Sequence, residues 1–145
     1  MTMATTARPR PTGPPGYSET LPRAEESAQT ARSLARAAVA TWGIDRLTTV
    51  AELVMSELVT NAVVHAWGPS LRVMVDRLAD DTVYLAVVDR APRRTPELRT
   101  AGPNDVTGRG LLLVDDIAAR WGHDLLGPHM RPWGKRVWAE LRAAP

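Results

Sequence analysis

The stretch Ser56-Glu57-Leu58-Val59-Thr60-Asn61-Ala62-Val63-Val64-His65-Ala66 decides how this chain is read. Glu57, Asn61 and His65 recur at i, i+4 and i+8, and at about 100° per residue they share one stripe of a helix. Glu52, Ser56 and Thr60 form a second polar stripe, roughly 140° around the same helix. One stripe can face water. The other then lies among Val50, Leu53, Val54 and Leu58, where a carboxylate and an amide are costly unless they bind something. A site is expected on this helix.

Outward from it, Ala24 to Thr41 is strongly helix-forming and Trp42-Gly43 ends it. Asp45 to Thr49 offers caps for the central helix, which should run to about Trp67 before Gly68-Pro69 stops it. Leu71 to Leu78 and Thr82 to Asp89 read as two strands joined by a tight turn at Ala79-Asp80-Asp81. Arg90 to Asn104 has no periodicity and reads as a long loop, a length that usually accompanies function. Thr107-Gly108-Arg109-Gly110 opens a third helix, Leu111 to Arg120, with Trp121-Gly122 as its expected stop. A strand near His123 to Leu126 and a final strand, Lys135 to Leu141, complete the chain.

Residues 1–18, rich in proline and glycine, are read as a disordered N-terminal arm, and residues 19–145 as one domain. The order ααββ–loop–αββ implies an α+β two-layer sandwich, with a mixed, mostly antiparallel sheet and helices on one face. Alternating βαβ units are missing, which argues against a Rossmann-type sheet.

Composition narrows the function classes. With 44% apolar and 23% charged residues, the 145-residue chain is an ordinary globular protein. The absence of cysteine excludes a disulfide framework, a thiolate zinc site and a cysteine nucleophile. A net charge of +2, with basic residues scattered among acidic ones, disfavours a nucleic-acid partner. No stretch reads as a signal peptide, and the contiguous apolar clusters look too short to cross a bilayer, so a cytoplasmic location is expected. His123 and His129 have no metal spacing, and Gly127 to Gly134-Lys135 fails as a Walker A loop, because Arg136 stands where Ser or Thr should bind magnesium.

Three pieces together suggest a nucleotide pocket. Glu57 and Asn61 could offer a carboxylate and an amide oxygen to a hard cation such as Mg²⁺, which takes few protein ligands. Asp89 ends an apolar strand and begins the irregular loop, a good place for a carboxylate that accepts a hydrogen bond from a base. Gly108-Arg109-Gly110-Leu111 joins glycines that allow close backbone approach to a helix N-terminus suited to phosphate.

In this order the pieces resemble the ATP-binding boxes of the GHKL superfamily (the gyrase, histidine-kinase and MutL type), a Bergerat-type ATP-binding fold. The likeness is greatest to the small stand-alone members related to bacterial anti-sigma-factor serine/threonine kinases. It covers roughly residues 24–142 and includes Ala31-Arg32, Trp42-Gly43-Ile44, Ser56 to Ala62, His65-Ala66, Gly108 to Val114, Trp121-Gly122 and Gly134 to Leu141. The resemblance implies Mg²⁺ on Asn61 and orientation or deprotonation of the attacking hydroxyl or water by Glu57. It implies adenine reading by the box of Asp89 and Ala91, and a phosphate cradle of Thr107, Gly108, Arg109, Gly110 and Leu111. ATP and Mg²⁺ would be the cofactors.

Such a protein would transfer the ATP γ-phosphoryl to a small antagonist protein. The alternative is a catalytically weak or inactive partner-switch module that sequesters a sigma factor or another regulator. Expected partners are therefore a sigma factor, an antagonist or a second copy of the chain, with no nucleic acid or membrane. Two departures favour the alternative. The family's Asp-x-Gly-x-Gly box reads Asp89-Arg90-Ala91-Pro92-Arg93 here. Lys135 replaces a threonine common after the glycine of the last strand, and is expected to pair with Asp89 and compete with adenine.

Overall fold

The computed structural model describes residues 7–9, 13–92 and 110–144. Six strands form one sheet: β1 (Arg8–Pro9), β2 (Gly16–Pro22), β3 (Ser70–Ala79), β4 (Thr82–Asp89), β5 (Arg120–Leu126) and β6 (Gly134–Arg142), in the spatial order β1-β2-β3-β4-β6-β5. Every pairing is antiparallel. Three helices, α1 (Ser27–Thr41), α2 (Thr48–His65) and α3 (Gly110–Ile117), make the second layer. The α+β sandwich is as expected, and its sheet is more regular than the mixed one anticipated.

α2 is the centre of the helical layer: it packs on α1 and α3 and lies across β4 and β6. Its buried face is Ala51, Val54, Met55, Leu58, Val59 and Ala62. Against it stand the inward residues of the central strands, Val83, Leu85 and Val87 on β4 and Val137, Ala139 and Leu141 on β6. Alternation along each strand selects these positions, since only every second side chain meets the helices. The stretch Asp45–His65 is, by length and composition, apolar enough to cross a membrane. Counting contiguous apolar clusters missed this, because isolated polar residues interrupt a helix that is apolar on average; here that apolarity fills the core.

Three local expectations are corrected. Within residues 1–18, Arg8–Pro9 and Gly16–Ser18 lie in strands; β2 pairs with β3 from Gly16↔Asp76 to Pro22↔Ser70. Its inward residues are Tyr17, Glu19 and Leu21, so a buried glutamate interrupts the apolar repeat that would have announced a strand. Tyr17 instead stacks on Trp42, with ring centroids 6.0 Å apart. Second, Trp121-Gly122 does not end a helix. α3 stops at Ile117, and both residues lie inside β5. A Cβ at Gly122 would stand 3.1 Å from Trp138 Cζ2, so this glycine admits an indole. Third, the central helix ends at His65 and is preceded by a short 3-10 turn, Asp45–Leu47.

Candidate functional site

The two polar stripes of α2 are used differently. Arg32 of α1 donates from Nη1 to Ser56 Oγ at 2.9 Å, and Arg36 Nη1 meets Glu52 Oε1 at 2.9 Å. This stripe is the seam between α1 and α2. Glu57 and Asn61, one residue further round, are half-buried, and among the described residues their side chains form no hydrogen bond or ion pair. Burial raises the Glu57 carboxyl above the ordinary glutamate value. Leu53 and Val64 on the same side of the helix are 38% and 55% exposed. The expected division into one stripe facing water and one in the core is therefore replaced by one stripe bound to α1 and one left chemically free.

The C-terminal end of α2 is held by Arg23, the residue that follows β2. Arg23 donates from Nε to the Gly68 carbonyl at 2.7 Å and from Nη1 to the Val63 carbonyl at 2.9 Å, placing a cation on the last turn, where the helix dipole is negative. Gly68 has a φ of +82°, and a Cβ there would lie 3.6 Å from Arg90 Cδ. The chain leaving α2 thus passes beside the residue that follows Asp89. Sequence reasoning missed Arg23, because nothing local distinguishes it from any arginine before a helix.

At the end of β4, Asp89 and Lys135 face each other across the sheet and are 2% and 1% exposed. Lys135 Nζ donates to Asp89 Oδ1 at 2.9 Å and to the Ala91 carbonyl at 2.8 Å. The Ala91 N–H donates to the same Oδ1 at 2.8 Å. Oδ2 is buried and has no partner among the described residues. The expected Lys135–Asp89 pair exists, but it takes one carboxylate oxygen and leaves the other.

β6 reaches this close approach through Gly134, where a Cβ would stand 2.4 Å from the Asp89 carbonyl oxygen. The glycine before Lys135 was the visible sign of this packing. Ala91 is buried and, like every non-glycine among the described residues, has a negative φ, so alanine is tolerated at the glycine position of the expected box.

The third expected piece is described only from Gly110 onward. Gly110 is the first residue of α3 and Leu111 is buried against the core, while Thr107, Gly108 and Arg109 lie outside the described residues. α2, the helix that bears Glu57 and Asn61, packs against both the strand that ends in Asp89 and the helix that begins at Gly110. Among the described residues no hydrogen bond joins the Glu57–Asn61 pair to the Asp89–Lys135 pair.

The sequence profile of the histidine kinase-like ATPase domain matches residues 21–124, from the end of β2 into β5. The chain belongs to this family. It is thereby a GHKL-type ATPase domain, which implies ATP binding, usually with Mg²⁺. No curated protein matches the chain.

The residues present in this ATPase domain fit both groups. A buried carboxylate oxygen without a partner calls for an N–H donor, which the exocyclic amine of adenine supplies. No cluster of three or more His, Asp or Glu capable of holding a metal occurs among the described residues. Mg²⁺ beside a nucleotide takes few protein ligands and completes its shell with phosphate oxygens and water, and an amide oxygen such as that of Asn61 is a ligand of the right kind.

Proposed function

We propose that this ATPase domain is a regulatory protein serine/threonine kinase of the anti-sigma type, which transfers the γ-phosphoryl of Mg·ATP to a small antagonist protein in the cytoplasm. The observation that carries the proposal is the contrast on α2. A fold that ties Glu52 and Ser56 to arginines leaves a half-buried carboxylate and amide, Glu57 and Asn61, with no partner among the described residues. Burial disfavours the charged form of such a carboxylate, and a ligand that engages it offsets that cost.

In this reading Glu57 accepts the proton of an incoming serine or threonine hydroxyl. The Oγ–Pγ bond forms as the bond from Pγ to the β,γ-bridging oxygen breaks, and ADP leaves with that oxygen. Asn61 supplies the amide oxygen for Mg²⁺, which offsets phosphate charge. Asp89 takes the adenine amino group on Oδ2, and the residues from Thr107 to Leu111 hold phosphates at the start of α3. Positioning and charge neutralisation dominate phosphoryl transfer, so a site with one base and one metal ligand suffices. Burial suits Glu57 to the role, because a raised pKa brings a carboxylate closer to the proton affinity of a general base at neutral pH.

The altered box Asp89-Arg90-Ala91-Pro92-Arg93 favours a second reading: a partner-switch module that binds nucleotide weakly and sequesters a sigma factor or another regulator without turnover. Calorimetric titration with Mg·ATP, with Asn61→Ala as control, tests the site. Binding by wild type that the variant loses supports the kinase reading and justifies a phosphotransfer screen. Absence of binding by folded wild type overturns it in favour of the switch module.

A further inference from the structure

We infer that Lys135 is a specificity-determining residue: by fixing Asp89 through one oxygen only, it turns the carboxylate into a single anionic acceptor that admits a 6-amino purine and rejects a 6-oxo purine. The inference rests on the nucleotide-site reading above and adds a role for a residue outside the boxes that define that site.

The geometry carries it. Oδ1 accepts from Lys135 Nζ at 2.9 Å and from the Ala91 N–H at 2.8 Å, so its lone pairs are taken. Nζ also donates to the Ala91 carbonyl at 2.8 Å, which fixes the ammonium from a second side. The carboxylate cannot turn without breaking these contacts. Oδ2 is left as a buried acceptor with no partner among the described residues.

In a purely structural ion pair that orphan is an uncompensated cost, and natural cores avoid such orphans. As half of a recognition device it has a use: a carboxylate oxygen has lone pairs and no proton. It accepts from an exocyclic amine and repels a carbonyl oxygen at the same position. A competitor for the base would leave the carboxylate no free acceptor; Lys135 engages Oδ1 and leaves Oδ2.

Removing the cation loosens the acceptor. Without the ammonium, Oδ1 loses one of its two donors and the carboxylate is free to turn, so Oδ2 is no longer held where it meets the base. Selectivity then relaxes while the phosphate contacts, common to both nucleotides, remain.

The test is calorimetric titration with Mg·ATP and Mg·ITP, which differ in the amino or oxo group at purine position 6. Wild type should prefer ATP by about 10–100-fold, the scale of one hydrogen bond to a charged group. In Lys135→Met the ratio should fall towards one, and in Lys135→Arg, which keeps a cation, it should be largely retained. Should Lys135→Met not fold, by circular dichroism, the double variant Asp89→Asn/Lys135→Met removes both charges together. Its amide can donate or accept, so its ratio should also approach one.

A wild-type ratio retained by folded Lys135→Met, or by the double variant, overturns the inference. So does tighter ATP binding by Lys135→Met at unchanged selectivity, the mark of a competitor. Equal binding of ATP and ITP by wild type overturns it and leaves the nucleotide site standing. Binding of neither nucleotide by wild type removes the site reading itself.

Discussion

The two polar stripes of α2 differ by one residue in sequence and by everything in use. Glu52 and Ser56 look across at Arg36 and Arg32 and serve as the seam between two helices. Glu57 and Asn61 meet no side-chain partner among the described residues, and exposed Leu53 and Val64 stand on their side of the helix. A polar group satisfied inside the fold reports on stability; one that folding leaves unsatisfied reports on a ligand. The Asp89–Lys135 pair holds both conditions in one carboxylate, with Oδ1 engaged by the fold and Oδ2 left over.

The contrast is sharpest for Glu57. Glu57→Gln should lower phosphotransfer or ATP hydrolysis by about 10²–10⁴-fold, the usual worth of a general base, while Mg·ATP affinity stays near wild type. An equal loss of affinity and turnover would place Glu57 among the binding groups and break the distinction between base and metal ligand. In the proposed kinase reading the same carboxylate should set a pH limb. Because burial raises its pKa, activity that needs the ionised form should fall with decreasing pH at a value above the ordinary glutamate range, and the Glu57→Gln residual rate should lack that limb.

Next in size is the satisfied half of the other carboxylate. Lys135→Met leaves Asp89 buried without its counterion and should cost about 3–5 kcal/mol in urea unfolding. A loss under about 1 kcal/mol, the worth of an exposed pair, would mean that water reaches the site. Gly134→Ala should come third. An added Cβ would meet the backbone carbonyl of Asp89 at 2.4 Å, and overpacking of this kind costs about 1–3 kcal/mol. An unchanged midpoint would show that β6 can move away from β4 at this end.

The helix seam should matter least. Arg36 is largely exposed in its pair with Glu52, so Arg36→Ala should cost about 0.2–1 kcal/mol and leave nucleotide binding unaltered. Opposite in sign is the stability effect of Glu57→Gln. The folded-state pKa of Glu57 lies above the unfolded value, so the charged group disfavours folding above that range. The variant should therefore be slightly more stable at pH 7, with the gain vanishing as pH falls through the folded pKa towards the unfolded one. A functional group shows itself by this combination: activity lost, stability gained.

Much of the fold was legible because residue propensity and stop signals are local. The strands Thr82–Asp89 and Gly134–Arg142 and the three described helices follow from helix- or strand-forming residues and the turns that bound them. β2 was illegible because Glu19 occupies an inward position and breaks the alternation, so only its pairing with β3 reveals it. Trp121-Gly122 misled for a related reason. Glycine after an apolar helix has the same letter whether it caps that helix or makes room for Trp138 on the next strand. Of the candidate site, Glu57, Asn61 and Asp89 could be named from spacing and residue type, whereas Thr107, Gly108 and Arg109 lie outside the described residues.

By itself the sequence determined that one helix carries two polar stripes among apolar residues, that a carboxylate ends a buried strand, and that a lysine follows a glycine at the start of the last strand. These are facts of spacing along one chain. Only the tertiary structure decided which stripe α1 would satisfy and which oxygen of Asp89 Lys135 would take. Hydrogen bonds between elements depend on directions and distances of an ångström or less, and those are set by how helices and strands pack, not by the residues that separate them in sequence.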